Sequence, residues 1–422
     1  MRFHFHGGAQ EVGRSCIEIE GSSRFILDAG IELSSEGPLL PSKIEKLHDL
    51  DAVLISHAHL DHIGALPLFH HYGLSCPIYA TAGTKSFSRI LLNDSLKIAR
   101  LEHQHIEYEK RDVPAIISLF RDVQYRQSFA INSAEITFFD AGHIPASASI
   151  LVQMDGKRIL YSGDIQVCDT QLLRGIDMHH YGDVDILIVE STYGNREHKE
   201  RIAEEKRFVE NVAMTIKRGG RAVISSFAMG RAQEIALLLG KHSWNVPIYM
   251  DGMARTMSEL CTQYSDLIRD PEALSRAMEQ VHFITTDEQR KEIIKNPCII
   301  ITTSGMVSGG PVIGYLEKIA HDERSAIFLT GYQAEGTGGR MIQEQASMMF
   351  EGHHSKLRCQ IYDHDFSGHA GRSDLHTYIS TVKPTALIIN HGDPDAIMQL
   401  ATWAKEQGIT TYTPSYDEQL EL

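Results

Sequence analysis

Six residues, His57-Ala58-His59-Leu60-Asp61-His62, constrain this chain more than any other stretch. They follow directly on the apolar run 51–56, which reads as a buried strand, so the cluster sits where a strand gives way to a helix. In an extended turn the side chains of His57 and His59 point the same way, and Asp61 and His62 swing to the other side as the helix begins. One segment then offers two ligands to one metal and two to a second. Imidazole with carboxylate suits Zn²⁺ or a neighbouring first-row metal. The bland alternative, a His-rich surface loop, accounts neither for the H-x-H-x-D-H order nor for the partners that follow.

Those partners are His143 after Glu135-Ile-Thr-Phe-Phe139, Asp164 after Arg158-Ile-Leu-Tyr161, His391 after Thr385-Ala-Leu-Ile-Ile389, and Asp28 after Arg24-Phe-Ile-Leu27. Taken singly, a polar residue ending a strand is more often a cap or a turn former. Together with the motif they make five strand ends that carry His or Asp, which is the pattern of a built site.

The first 165 residues are rich in short strands, expected near 2–6, 15–20, 24–28, 51–56, 77–80, 135–140, 148–153 and 158–163. Helical patterns lie near 64–71 and 84–101, with another near 111–121. After Asp185-Ile-Leu-Ile-Val-Glu190 the rhythm changes to alternating helices and strands, which implies a parallel sheet with flanking helices. The tail from Leu357 then resumes the first pattern. The expected organisation is a first domain over 1–195 and 351–422, with an α/β unit over 196–350 inserted in it. A cleft between the two is the expected place for substrate.

No apolar run approaches the roughly 20 residues of a membrane helix, and the start, Met1-Arg-Phe-His-Phe-His6, alternates like a strand rather than a secretion signal. The six cysteines are far apart with no C-x-x-C pair, as expected of reduced thiols in a cytoplasmic protein. A formal charge of −15 argues against nonspecific polyanion binding by the bulk surface. It does not bear on a cleft that holds dications.

The ligand pattern resembles the metallo-β-lactamase superfamily, an αββα sandwich with a dinuclear site along one edge. Within it the chain is similar to the β-CASP nucleases, whose inserted parallel-sheet α/β domain is followed by further motifs. Glu190 in Val189-Glu-Ser-Thr-Tyr-Gly194, His369 in Asp365-Phe-Ser-Gly-His369 and His391 look like these. So do the segments Gly7-Gly-Ala-Gln-Glu-Val-Gly-Arg14, Ser226-Phe-Ala-Met-Gly-Arg-Ala-Gln-Glu234 and Thr303-Ser-Gly-Met-Val-Ser-Gly-Gly310. The resemblance implies two Zn²⁺ per chain. His57, His59 and His143 would hold the first and Asp61, His62 and His391 the second, with Asp164 bridging and Asp28 supporting the ligand loop from behind.

His at position 391 resembles the RNA-processing members rather than the DNA-repair branch, and the short archaeal and bacterial relatives of the cleavage and polyadenylation endonuclease most of all. The implied activity is hydrolysis of single-stranded RNA, as endonuclease or 5′→3′ exonuclease, by a hydroxide formed at the metals. Asp61, Glu190 and His369 would be catalytic, with His369 as the acid for the 3′ oxygen and Glu190 orienting it. A homodimer or a place in an RNA-processing complex is compatible with this. The alternatives are a small-molecule metallohydrolase of thioesterase or lactonase type and an inactive RNA-binding scaffold. The inserted unit and the Glu190 and His369 motifs speak against the first, and the intact ligand set against the second.

Secondary signals are weaker. The turn at Ser304 and Gly305, between a strand and a helix, resembles a phosphate cradle. Arg231 reads equally as a phosphate clamp or as an ion-pair partner of Glu190. Gly336–Arg340 reads as a mobile turn. The pairs His70-His71, His179-His180 and His353-His354 read as surface or packing residues.

Overall fold

The computed structural model describes residues 1–34, 37–47, 49–101, 106–350 and 352–422. Its described residues form two compact units. One comprises Met1–Asp169, Gly175–Glu197 and His369–Leu422, the other Thr170–Arg174 and His198–Gly368.

The first unit contains two seven-stranded sheets. One runs in the order Gln419–Glu421, Arg2–Gly7, Cys16–Glu20, Arg24–Leu27, Ala52–Leu54, Ile78–Thr81, Phe120–Val123. The other runs Thr410–Tyr412, Ala386–Ile389, Ile186–Val189, Lys157–Tyr161, Ala148–Met154, Ala134–Asp140, Phe129–Ile131. Period-two alternation sends Phe3, Phe5, Ile17 and Phe25 of one sheet into a shared core with Phe138, Ile150, Val152 and Ile188 of the other. The opposite face of the second sheet, with Leu151, Leu160, Leu187 and Leu387, is covered by helices Arg372–Val382 and Pro394–Glu406. That burial on both faces is why Ile186–Val189 and Ala386–Ile389 are unbroken apolar runs. Helix Ala82–Leu101 lies against strands of the first sheet, which completes an αββα sandwich.

Strand direction positions the site. Arg24–Leu27 and Ala52–Leu54 are parallel, and so are Lys157–Tyr161, Ile186–Val189 and Ala386–Ile389. Ala134–Asp140 runs the same way as Lys157–Tyr161, because two antiparallel pairings separate them. The residues that follow these strands therefore leave each sheet at the same edge.

In the second unit every pairing of the six-stranded sheet is parallel, in the order Val281–Phe283, Ile248–Asp251, Ile299–Thr302, Ala222–Ser225, Ala326–Leu329, Gln360–Asp363. Both of its faces are apolar and covered. The last strand corrects the sequence reading, which returned the chain to the first domain before Leu357. A parallel partner needs a crossover, and helix Gly338–Gln345 with the hairpin Ser347–Phe350/His353–Lys356 lies along it. Gly336–Arg340 is accordingly no mobile turn. Thr337 caps the helix, its Oγ1 accepting the Arg340 N–H at 3.3 Å. The pattern near 111–121 divides as well: the helix ends at Ser118, and Phe120–Val123 joins the first sheet.

Candidate metal centre

The motif segment leaves strand Ala52–Leu54 extended, and its helix is a single turn, Leu60–Ile63, that starts after His59. The turn is pressed against Gly30: a Cβ there would meet the Asp61 carbonyl oxygen at 1.7 Å. Only glycine lets the two backbones approach so closely.

Asp28 organises this segment. Its Oδ1 accepts the Ser56 N–H at 2.7 Å. Its Oδ2 accepts the hydroxyls of Ser56 and Tyr161 at 2.6 and 2.7 Å and lies 2.7 Å from His62 Nδ1. Since the carboxylate only accepts, His62 carries its proton on Nδ1 and turns a bare Nε2 into the site. The same accounting holds for His57, whose Nδ1 lies 3.0 Å from a Ser56 hydroxyl that has already given its proton to Asp28. His391 meets Thr192 Oγ1 through Nδ1 at 3.3 Å.

Four imidazoles converge on Asp164. Its Oδ2 lies 3.4 Å from His57 Nε2, 3.3 Å from His62 Nε2 and 3.7 Å from His143 Nε2, and its Oδ1 lies 3.5 Å from His391 Nδ1. His143 Nε2 is 3.1 Å from His59 Nδ1, and His391 Nε2 is 3.4 Å from Asp61 Oδ2. Two donor groups result, His57-His59-His143-Asp164 and Asp61-His62-Asp164-His391, each with its ligand atoms within 4.8 Å of one another. They share Asp164. His57 Nε2, His62 Nε2, His391 Nε2 and both oxygens of Asp164 are buried with no hydrogen-bond partner. Buried polar atoms are rarely left so, and cations in the two donor groups would satisfy all five.

The electrostatics agree. Burial pushes His57 well below the usual imidazole range, with His62 adding to it, and takes His59 down to about 4. Burial would raise Asp164, but His391, His62 and His57 outweigh it and hold it well below the carboxylate range. Burial would likewise lower His62 and His391, yet Asp164 and its neighbours push both up. The carboxylates demand positive charge here, and dications supply it more compactly than imidazolium protons.

Glu190 and His369 stand beside this centre. Glu190 Oε1 accepts the Ile165 N–H at 2.7 Å, and its Oε2 lies 3.0 Å from His369 Nδ1. Burial opposes the charge on His369, but Glu190 outweighs it through charge and hydrogen bond and lifts the imidazole to about 9. Gln166 anchors the loop by donating to the His369 carbonyl at 3.0 Å.

All seven ligand candidates, Asp28, Glu190 and His369 thus meet in one place in the first unit. The weaker expectations fare differently. Arg231 begins helix Arg231–Gly240 and pairs with Glu234, one turn along the same helix. The Ser304 N–H donates to the Gly309 carbonyl at 3.2 Å, so that amide is already committed. Tyr161, Ser56 and Thr192 escaped the sequence reading. The one available signal was Tyr161, three residues before Asp164 on a strand that ends in the site.

Comparison with known proteins agrees with this geometry. A beta-lactamase superfamily domain matches residues 23–242, a Beta-Casp domain residues 232–342, and a Zn-dependent metallo-hydrolase RNA specificity domain residues 355–414. The chain is 39% identical to the probable RNase MJ4 of Methanocaldococcus jannaschii, over 100% of both chains. It is 32% identical to RNase aCSPSF2 of Saccharolobus solfataricus, over 99% of this chain and 84% of that one. It is also 34% identical to the transcription termination factor FttA of M. jannaschii, over 95% of this chain and 68% of that one. The fold matches a crystal structure of a protein of unknown function from Enterococcus faecalis with a TM-score of 0.61 at 16% identity, covering 100% and 99% of the two chains. With the domain matches, the full-length relatives and the sandwich geometry in agreement, this chain belongs to the β-CASP group of the metallo-β-lactamase superfamily.

Proposed function

We propose that this chain is a zinc-dependent ribonuclease that cuts single-stranded RNA to leave a 5′-phosphate and a 3′-hydroxyl. The observation that carries the reading is the pair of donor groups sharing Asp164, with unpartnered buried nitrogens facing it. It is supported by the match to a Zn-dependent RNA specificity domain and by relatives named as ribonucleases. His57, His59 and His143 would hold one ion and Asp61, His62 and His391 the other, with Asp164 common to both donor groups, for two Zn²⁺ per chain. When bound, such a pair supplies Lewis acidity towards the non-bridging phosphate oxygens and an acidified water.

The chain's own residues do the rest. Asp28 keeps the ligand loop and the His62 ring in place. Glu190 holds His369 by Nδ1, so the proton to be delivered sits on Nε2. His369 passes that proton to the 3′ oxygen as its bond to phosphorus breaks.

The test is cleavage of one single-stranded RNA beside the matched DNA strand, with labels at either end and with 5′-hydroxyl, monophosphate and triphosphate forms. RNA should be cut faster, since its 2′-hydroxyl is the available discriminator. Equal rates on the two strands would sink the RNA assignment. Hydrolysis of a thioester without cleavage of RNA would move the chain to the small-molecule hydrolases.

A further inference from the structure

A second cluster of histidines lies away from the centre just described, where strand Arg2–Gly7 meets the end of the chain. His4 and His6 point away from the sandwich core and are 6% and 1% exposed, with ring centroids 3.9 Å apart. His4 Nε2 lies 2.8 Å from Asp417 Oδ1, and the Ser42 hydroxyl lies 2.7 Å from that oxygen and 3.2 Å from His6 Nδ1. The candidate ligand atoms of His4, His6 and Asp417 fall within 4.8 Å of one another.

Proton accounting shows what the cluster lacks. His6 Nε2 faces Glu18 Oε2 at 3.0 Å. Glu18 is paired with the Arg24 guanidinium, so it is an ionised acceptor. His6 therefore carries its proton on Nε2, and its Nδ1 is a lone pair. Asp417 Oδ1 is an acceptor too. Ser42 stands between them with a single proton for both. A cation needs no such choice, and the surroundings have the form of a metal site. Glu18 orients His6 from behind and is itself held by Arg24 at 2.5 Å, the carboxylate–histidine arrangement that fixes metal-bound imidazoles. Lys43 takes the other oxygen of Asp417 at 2.7 Å and leaves Oδ1 to the cluster.

We infer that His4, His6 and Asp417, with Ser42, form a separate site for a first-row divalent cation, Zn²⁺ by its two imidazoles and one carboxylate. His4 presents Nε2 by moving its proton to Nδ1, where the Gln419 side-chain amide, 3.3 Å away, turns its oxygen to receive it. The ion's position gives it a structural part. Asp417 already donates its N–H to the Phe5 carbonyl at 2.8 Å, and Phe5 donates to the Glu418 carbonyl at 2.9 Å. Bound zinc would staple the same junction through side chains.

The full chain, loaded with zinc and dialysed, tests this by elemental analysis. Asp417→Asn and His6→Gln should each carry one zinc fewer per chain than the unaltered protein, while RNA cleavage stays within about twofold. The difference of one does not depend on how many ions the other centre holds. Should either variant fail to fold, crystals of the unaltered chain grown with equimolar zinc give the answer from anomalous scattering at the zinc edge. A peak bounded by His4, His6 and Asp417 is expected. An unchanged zinc count in folded Asp417→Asn, or no peak there, overturns the site.

Discussion

Asp28 touches no substrate, yet it decides which nitrogen His62 shows to the site. One carboxylate receives Ser56 twice, Tyr161 and His62. Replacing it by Asn puts a donor where either the Ser56 N–H or three donors, the Ser56 and Tyr161 hydroxyls and His62 Nδ1, already point. Asp28→Asn should therefore weaken zinc binding about 10–100-fold, the usual cost of losing such a supporting partner. Competition with a zinc-sensitive dye measures it, and an unchanged affinity would show that His62 holds its ring unaided. His369→Ala should behave differently. It should keep zinc and RNA binding but cut about 10²–10⁴-fold more slowly, the span a general acid contributes. On RNA with sulfur in place of the 3′ bridging oxygen the loss should be far smaller, since a thiolate leaves without a proton. An equal loss on both substrates would remove His369 as the acid, and a lost metal would make it a ligand. At this scale the sequence was most legible where chemistry is compressed into a short motif, as at His57–His62. It was least legible for Tyr161, Ser42 and Asp417, ordinary residue types whose roles arise from contacts between distant segments.

Strands and helices carry their own predictions, and strand Gln360–Asp363 carries one at its end. His364 follows it, buried among Phe208, Phe328 and Phe366. Its Nδ1 lies 3.0 Å from Glu204 Oε1, and its Nε2 accepts from the Asn211 amide at 3.3 Å. These partners fit a neutral ring with one proton. A second proton would point at the Asn211 amide. Burial first, and then Arg207, push His364 down to about 4. A folded pKa below the unfolded value of about 6.5 means stability that is full above 6.5 and lost as pH falls towards 4. The loss reaches about 3 kcal/mol in the second unit by the conversion of 1.36 kcal/mol per pKa unit. His364→Gln keeps one donor and one acceptor, so it should remove most of that slope in acid-unfolding titrations. An unaltered slope would place the acid sensitivity elsewhere. The same strand shows why element boundaries outrun the sequence. Its residues, Gln-Ile-Tyr-Asp, suit either an edge strand or a central one, and only pairing with Ala326–Leu329 assigns it to the second sheet. By contrast, Ile186–Val189 and Ala386–Ile389 were legible, because burial on both faces demands unbroken apolar runs.

For the whole molecule, the described residues divide so that every candidate metal ligand lies in one unit and the His364 network in the other. The two therefore answer to different chemistry. A ligand that binds only the folded form stabilises it by about 2.7 kcal/mol at a hundredfold excess over its dissociation constant. For a unit of 150–250 residues that corresponds to a melting shift of about 5–10 °C. Chelation should lower the melting of the first unit by that order, because it leaves Asp164 and three imidazoles buried without partners. The second unit, which contributes none of these ligands, should melt unchanged. Acidification from pH 6.5 to 4 also begins to protonate His59 of the metal centre, which burial takes down to about 4, so wild type alone cannot separate the units by pH. Comparing wild type with His364→Gln in chelator can, since the metal is then absent from both. Calorimetry should show the variant's gain in acid confined to the transition that chelation had left in place. If chelation and His364→Gln moved one and the same transition, the two units would share a single folding equilibrium, and metal at one edge of the sandwich would stabilise the entire chain.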